Sequence, residues 1–363
     1  MGDIVDKGHK ELYVEGLHFL IDAFVGDSTL RDKTIVLPGN HDVNRDDALI
    51  GIDEKFEHIN SALVGMGLPV IEVSRALMIS LSRGNSTGVL FALNSCVGCG
   101  ERRSLPERIG AEIEHLISAQ IGATPAGPFL FPDMLTQYYE QLDTPAFSDS
   151  AINSLHDLAS ERRLHDCPVF IVAAHHNLLP QAQPRIAPYS ELINGGQMRN
   201  LLLEFQRPVI YLHGHTHTSP IEIIHHPTND SSLLISISAP EMRGGFNVIE
   251  ILSNKDGRAF GCRVRPFRIS DGGKPVERPA IQIPFYRHVQ QAMSQLNGAI
   301  IRTVYESHGP LYWPDLCDCL HKLGVVLSDG DLEHAIRELS WNRFLTVQNE
   351  GAPNTQWRIE RPL

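Results

Sequence analysis

Residues 209–217 have the sequence VIYLHGHTH, an apolar run that leads directly into two histidines one residue apart. A short, continuous apolar run bounded by a turn signal predicts a buried strand. Residues 169–177 (VFIVAAHHN) repeat this arrangement. Helical spacing of apolar residues precedes each run, and alternation of strands with helices is typical of α/β folds. We therefore predict an α/β sheet with histidines at the ends of its strands.

Further strands are predicted on both sides of these two segments. Earlier in the chain they fall at 34–37, 76–81 and 89–93, with a helix over about 9–25. Later in the chain, strand patterns at 233–237, 246–252 and 262–267 follow one another with turn signals and little helix between them. Consecutive strands without intervening helices predict a second, partly antiparallel sheet.

Composition excludes several classes of protein. The chain has 363 residues, of which 42% are hydrophobic and 20% charged, so it can bury a large core. Its 31 basic and 43 acidic residues give a net charge of −12, which argues against general coating of nucleic acid. No apolar run is long enough to span a membrane, no signal peptide is apparent, and six cysteines are too few for a disulfide scaffold. We expect a cytoplasmic protein that does not associate with membranes.

The chain is predicted to divide into two domains. The main domain covers 1–270, and 100–150 within it has scattered prolines and weak periodicity, which indicates an insertion or cap. Residues 271–284 (DGGKPVERPAIQIP) have the composition of a linker. Residues 285–363 show three helical patterns followed by two short strands, the order of a winged helix.

The C-terminal domain allows two functional interpretations. A winged helix can place its third helix in the major groove of DNA. Here that helix carries Asp331, Glu333 and Glu338 against Arg337, a poor surface for phosphate contacts. Binding of a protein partner, or self-association, is therefore at least as well supported as DNA binding.

Four polar segments follow turn or strand signals and suggest a metal site. They are residues 2–8 (GDIVDKG), 39–42 (GNHD), 175–177 (HHN) and 214–217 (GHTH). In open α/β sheets ligands bind beyond the carboxyl ends of the strands, so these side chains are expected to meet at one edge. Carboxylate, amide and imidazole donors together suit Mn²⁺, Fe²⁺ or Zn²⁺.

In this order the four segments resemble the calcineurin-like metallophosphoesterase superfamily, and the resemblance covers about residues 1–270. It implies a four-layer α/β sandwich with two divalent metal ions that activate water for attack on phosphorus. It also assigns residues. Asp3 would bridge the two ions, and Asn40, His175 and His215 would complete the ligand set of the second ion. His217 would bind the first ion. His41, polarised by Asp6, would assist catalysis at the phosphate. His175 is preferred to His176 because it is nearer the strand end.

The sequence departs from the family pattern at its start. The family carries an Asp-x-His motif before GDxxD, and this sequence begins one residue before that second motif, so two ligands of the first metal are missing. We expect truncation rather than decay, because the other motifs are intact. The HH and GHTH forms resemble phosphodiesterase and nuclease branches, which predicts hydrolysis of a nucleotide or nucleic-acid phosphodiester. The alternative is a catalytically weak or inactive regulatory protein that binds a partner.

Cys96-Val-Gly-Cys99 is an isolated C-x-x-C pair. A structural zinc site would need two further ligands, and none follows with the spacing of a zinc finger. The sequence therefore favours ordinary buried thiols.

Overall fold

The structure, a computed structural model, describes the parts of the chain that carry the sheets and most of the candidate site. The described residues are 2–5, 10–22, 33–44, 54–83, 86–99, 112, 115, 144–178, 192–215, 221–229, 232–241, 243–253, 257, 259–270, 272–285, 295–307, 309–342 and 344–361. Most of the insertion predicted at 100–150 lies outside these ranges and stays a prediction.

The larger sheet has six strands in the order β1-β2-β3-β4-β6-β5. These strands are β1 (Leu77–Arg83), β2 (Ser86–Ala92), β3 (Phe170–Ala173), β4 (Pro208–His213), β5 (Ile221–His225) and β6 (Leu233–Ser238). Strands β2, β3, β4 and β6 are parallel, whereas β1 and β5 pair antiparallel at the two edges. The helices of this region are α1 (Lys10–Leu20), α2 (Glu57–Gly65), α3 (Asp149–Ala159) and α4 (Gly195–Glu204).

Both faces of the larger sheet are covered, as its parallel centre requires. Side chains alternate along each strand, so Phe170 and Tyr211 lie on one face and Ile171 and Ile210 on the other. The first pair is buried in a core shared with α3 and α4. The second pair is buried against the other sheet. The predicted α/β sandwich is thereby confirmed.

The second sheet is antiparallel and has the order β10-β8-β7, with β9 also paired to β8. Its strands are β7 (Gly245–Ser253), β8 (Ala259–Ile269), β9 (Pro275–Glu277) and β10 (Ile281–Pro284). The linker predicted at 271–284 is therefore wrong, because two strands of this sheet come from it. Ile281 and Ile283 alternate with Gln282, and the buried Ile283 joins the core between the sheets. The segment forms strands because its apolar residues alternate with a two-residue period, although its content of Gly, Pro and charged residues is typical of a linker.

The strand predicted at 34–37 is also not formed. Within the part of the chain that the structure describes, no strand pairs with it, although Val36 and Leu37 are buried as the apolar run indicated. Leu37 packs against Ala92 and Ala173 near the carboxyl ends of β2 and β3. An apolar run predicts burial, whereas a strand also needs a neighbour for its hydrogen bonds.

The C-terminal region forms a helical unit with a small sheet. Its elements are α5 (Gln295–Glu306), β11 (Leu311–Tyr312), α6 (Trp313–Lys322), α7 (Asp329–Trp341), β12 (Thr346–Gln348) and β13 (Arg358–Glu360), with sheet order β11-β13-β12. Trp313 and Trp357 meet edge to face, with ring centroids 5.6 Å apart, inside a separate hydrophobic core. The three helices come before the last two strands, as the sequence pattern predicted, and the winged-helix assignment stays a prediction.

The C-terminal unit contacts the second sheet through Trp341. Its ring lies edge to face with Phe260 at 6.1 Å and is buried. Glu350 accepts hydrogen bonds from Arg263 of β8 (3.4 Å) and Arg337 of α7 (2.8 Å). The contact therefore combines an aromatic anchor with a charged network.

Candidate metal centre

Three parallel strands place their carboxyl ends side by side at one edge of the larger sheet. The backbone ladder continues past the strands, since Leu93 N–H donates to Ala173 O and Ala174 N–H to Leu212 O, both at 3.0 Å. Gly214 N–H then donates to His175 O at 2.9 Å. This extension holds the residues after β2, β3 and β4 in register, and the candidate ligands His175 and His215 lie there.

The loop at residues 2–5 is held at this edge by the buried carboxylate of Asp42. Four backbone N–H groups donate to its two oxygens, from Asp3 (2.8 Å), Gly39 (2.9 Å), Ile4 (2.9 Å) and Val5 (3.1 Å). Burial is the largest influence on this carboxyl and raises its pKa to about 7, while the backbone N–H donors favour the charged form. Asp42 therefore ties the GDIV loop to the GNHD turn.

Four of the predicted ligands converge on one point. The Asn40 Oδ1 atom lies 3.0 Å from His175 Nε2 and 3.2 Å from His215 Nδ1. Asp3 Oδ2 lies 3.3 Å from the same His175 nitrogen. Asn40 and His175 are buried, and Asp3 is partly exposed. The donors come from four separate segments of the chain, so the fold rather than local sequence brings them together.

The spacing of these donor atoms fits a divalent ion. Two neighbouring donors each about 2.1 Å from an octahedral ion lie roughly 3.0 Å apart. The observed separations of 3.0, 3.2 and 3.3 Å are close to that value. One carboxylate, one amide oxygen and two imidazoles also form a donor set that Mn²⁺, Fe²⁺ and Zn²⁺ accept.

Two of these candidate ligands have a strained backbone. Among the described residues, the non-glycine residues with positive φ are Asp3 (59°), His215 (56°), Gln206 (54°) and Asn349 (63°). Such a conformation costs about 1–3 kcal/mol and persists where surrounding contacts enforce it. At Asp3 these contacts are the hydrogen bonds to Asp42. In the Gly214-His215 pair, the positive φ belongs to the candidate ligand His215 and not to the preceding glycine.

His176 lies beside this cluster, with a ring nitrogen within 4.8 Å of those of His175 and His215, and it also contacts a second set of partners. Its backbone N–H donates to Ser95 Oγ at 3.1 Å, and its Nδ1 lies 2.9 Å from the same hydroxyl. The thiols of Cys96 and Cys99 lie 3.9 and 4.0 Å from its two ring nitrogens. Burial, with the positive charge of neighbouring histidines, holds the pKa of His176 well below its usual value.

The remaining predicted residues differ in how far the structure places them. His41 follows Asn40, is exposed, and its backbone N–H donates to Asp3 Oδ1 at 3.1 Å. Asp6 and His217 lie outside the described residues, and their predicted roles stay predictions.

Sequence reasoning missed two residues that hold the site. The role of Asp42 could have been suspected, because it completes the GNHD motif. Tyr13 of α1, fully buried, donates its hydroxyl to Asp42 O at 2.6 Å. Its partner is 29 residues away in the sequence, and no local pattern signals that contact.

The model of the calcineurin-like phosphoesterase family matches residues 1–219, more than half of the chain. The chain belongs to the calcineurin-like phosphoesterase family. The matched range contains all the converging donors and ends shortly after the GHTH motif. No curated protein matches the chain in a sequence search.

Two solved structures are similar to the chain at low identity. A Staphylococcus aureus protein described as a 5′-nucleotidase, solved with α-ketoglutarate, has 11% identity and a TM-score of 0.30, covering 77% of this chain and 44% of its own. GAP50, the anchor in the inner membrane complex of Plasmodium, has 9% identity and a TM-score of 0.26, covering 58% of this chain and 53% of its own. The chain thus spans about half the length of these structures.

Among the described residues of this family member, no helix combines the length and apolar character needed to cross a membrane.

Proposed function

We propose that this member of the family is a metal-dependent phosphoesterase that hydrolyses a phosphodiester of a nucleotide or nucleic-acid end. The observation that carries the proposal is the convergence of Asn40 Oδ1, His175 Nε2, His215 Nδ1 and the Asp3 carboxylate within hydrogen-bonding distances at one sheet edge. The diester preference rests on the HH and GHTH forms of the motifs, which resemble the phosphodiesterase and nuclease branches.

The four converging residues would hold one divalent ion, and Asp3 together with His217 would contribute to a second. When bound, such ions neutralise charge on phosphoryl oxygens and lower the pKa of water. Asp3 supplies carboxylate oxygens to a cation here, and the imidazoles of His175 and His215 each supply a nitrogen lone pair. The buried Asn40 amide presents its oxygen between both imidazoles.

His41 is suited to act on the substrate rather than on an ion. Its side chain is exposed while its backbone is fixed by Asp3 Oδ1 and by the short helical turn of residues 40–42. An imidazole in this position can donate a hydrogen bond to a phosphoryl oxygen or a proton to the leaving oxygen. Asp6, by the resemblance to the family, would orient that ring.

The test is hydrolysis of bis-p-nitrophenyl phosphate, a diester, in parallel with p-nitrophenyl phosphate, a monoester, with and without Mn²⁺. We expect Mn²⁺-dependent release of nitrophenol, faster from the diester and stopped by a chelator. Asp3→Asn and His215→Ala should abolish the activity by removing ligands. His41→Ala should retain Mn²⁺ binding by calorimetry and lose about 10²- to 10⁴-fold in rate, the contribution typical of a general acid.

His156→Ala is the matched control, because His156 lies on α3 with 58% of its side chain exposed. It should retain the full rate. Wild-type rates in the three site variants would contradict the site assignment, and faster hydrolysis of the monoester would contradict the diester preference alone.

A further inference from the structure

We propose that Cys96, Cys99 and His176 form a second, buried metal site that holds one thiophilic cation of the Zn²⁺ type, separate from the cluster around Asp3 and Asn40. One ligand atom from each of the three residues lies within 4.8 Å of the others. All three side chains are fully buried, with no exposed surface. The fold therefore brings a third potential ligand, His176, next to the C-x-x-C pair, which appeared isolated in the sequence.

The separation of Cys99 and His176 is close to that expected in a tetrahedral thiolate site. With a Zn–S bond of 2.3 Å and a Zn–N bond of about 2.05 Å, sulfur and nitrogen ligands lie roughly 3.6 Å apart. The Cys99 Sγ atom lies 4.0 Å from His176 Nε2. Cys96 Sγ lies nearer the other ring nitrogen, 3.9 Å from Nδ1, so its side chain must turn toward Nε2 for both thiols to bind one ion. Two thiolates with one imidazole form a known zinc ligand set that leaves the fourth position open.

Ser95 determines which ring nitrogen is available. Its hydroxyl oxygen has two lone pairs and can accept from both the backbone N–H of His176 (3.1 Å) and Nδ1–H (2.9 Å). The lone pair of Nε2 then points toward Cys99. Metal-ligating histidines usually have their other nitrogen fixed in this way. The Tyr211 hydroxyl holds the same residue from the other side by donating to His176 O at 2.6 Å.

The two cysteines are also held by contacts outside the ligand set. Cys99 N–H donates to Cys96 O at 3.1 Å, which closes a tight turn, and Cys96 N–H donates to Asn94 Oδ1 at 2.8 Å. The buried ammonium of Lys55 donates to the carbonyls of Val97 and Cys99. Both thiols are thus presented by a rigid turn, as a metal site requires.

Sulfur distinguishes this site chemically from the neighbouring one. Thiolates select Zn²⁺ and other soft ions, whereas the carboxylate, amide and imidazole donors around Asn40 also accept harder ions such as Mn²⁺. Binding of one Zn²⁺ releases the two thiol protons to solvent and leaves a site of zero net charge. Because the ring of His176 lies 4.8 Å from that of His175 and 4.5 Å from that of His215, an ion here would also fix the surroundings of both candidate ligands.

Cobalt substitution tests the proposal, because a Co²⁺–thiolate bond gives a near-ultraviolet charge-transfer band that oxygen and nitrogen ligands do not give. The full chain is produced in cobalt-supplemented medium, since a fully buried site is expected to fill as the chain folds. We expect the band in the wild-type protein, a weaker band in Cys96→Ser and in Cys99→Ser, and none in the double variant. Protein loaded with Zn²⁺ should release the thiol-bound ion, one per chain, when it is unfolded, and a chromogenic chelator measures the released Zn²⁺.

Two variants serve as controls. Cys167→Ser changes a buried cysteine outside the proposed site, whose thiol donates to Val169 O, and it should leave the band unchanged. Asn40→Ala should also retain the band, because it removes a ligand of the neighbouring site only. The band does not depend on hydrolysis, so the two proposals fail independently.

Absence of the band in cobalt-containing wild-type protein would overturn the proposal, whatever the serine variants do. A thiol titration under denaturing conditions that finds Cys96 and Cys99 joined as a disulfide would also overturn it.

Discussion

Gly39 contributes to the candidate metal centre through the side chain that it lacks. A Cβ atom at this position would lie 2.1 Å from Asp3 Oδ1 and 2.4 Å from Asp3 N. The φ of Gly39 is −104°, which any residue can adopt, so the requirement is space rather than conformational freedom. Gly2 differs, because its φ is +92° and a Cβ there would also lie 2.5 Å from His175 Nδ1.

Gly39→Ala is expected to weaken Mn²⁺ binding at least tenfold, about 1.4 kcal/mol, because Asp3 must move away from Asn40 and His175. Isothermal titration calorimetry measures the affinity. Gly196→Ala is the control, since a Cβ there meets nothing within 4 Å, and it should bind Mn²⁺ like the wild type. Unchanged affinity in Gly39→Ala would show that the close approach to Asp3 does not matter for the ion.

At the scale of elements, the turn at residues 96–99 joins two parts of the fold. Cys96 and Gly98 form bridges to Ala146 and Thr144, while Lys55 donates to the carbonyls of the turn from the other side. Lys55 is fully buried. A buried ammonium is tolerated only where oxygen atoms surround it, so this turn and Lys55 depend on each other.

Lys55→Met keeps a similar length and volume and removes the donor. We expect the free energy of unfolding to fall by about 1–3 kcal/mol, because buried carbonyls lose their hydrogen-bond partner. Urea denaturation gives this value. The control is Lys274→Met at an exposed position before β9, where a change within about 0.5 kcal/mol is expected. Equal unfolding midpoints for the two variants would argue against a stabilising role for Lys55.

At the scale of the whole molecule, the C-terminal unit is held against the second sheet where β8 carries a glycine. A Cβ at Gly261 would lie 2.5 Å from Trp341 Cε3 and 3.0 Å from Ile283 O. The indole of Trp341 therefore lies directly on the backbone of β8, beside Phe260. The absence of a side chain at this position allows the close contact between the two units.

Gly261→Ala should displace the Trp341 ring and lower the free energy of unfolding by about 1–3 kcal/mol, the usual cost of overpacking. Tryptophan fluorescence during urea unfolding measures this, because all three tryptophans lie within 285–363 and report on the C-terminal unit. Gly272→Ala, where a Cβ meets nothing within 4 Å, is the control. An identical unfolding curve for Gly261→Ala would mean that the ring adapts without cost.

Predictions of strands from sequence succeeded where the apolar pattern was strong. They failed where strand formation depended on a pairing partner elsewhere in the fold. The apolar runs that open the segments 169–177 and 209–217 form β3 and β4 as predicted, because four or more consecutive apolar residues have few alternatives to burial. The segment at 34–37 has the same pattern and forms no strand within the described part of the chain, since pairing requires a partner. Conversely, Ile281 and Ile283 form a strand inside a segment with linker composition.

The sequence by itself determined the family, the α/β class and the candidate donors in its four motifs, because those features are local. Only the tertiary structure decided that His175 faces Asn40 while His176 faces Cys96 and Cys99. Adjacent residues after a strand point in different directions, and the neighbours of each come from distant parts of the chain. The same reason explains the contacts of Asp42, Lys55 and Trp341, which depend on packing between elements.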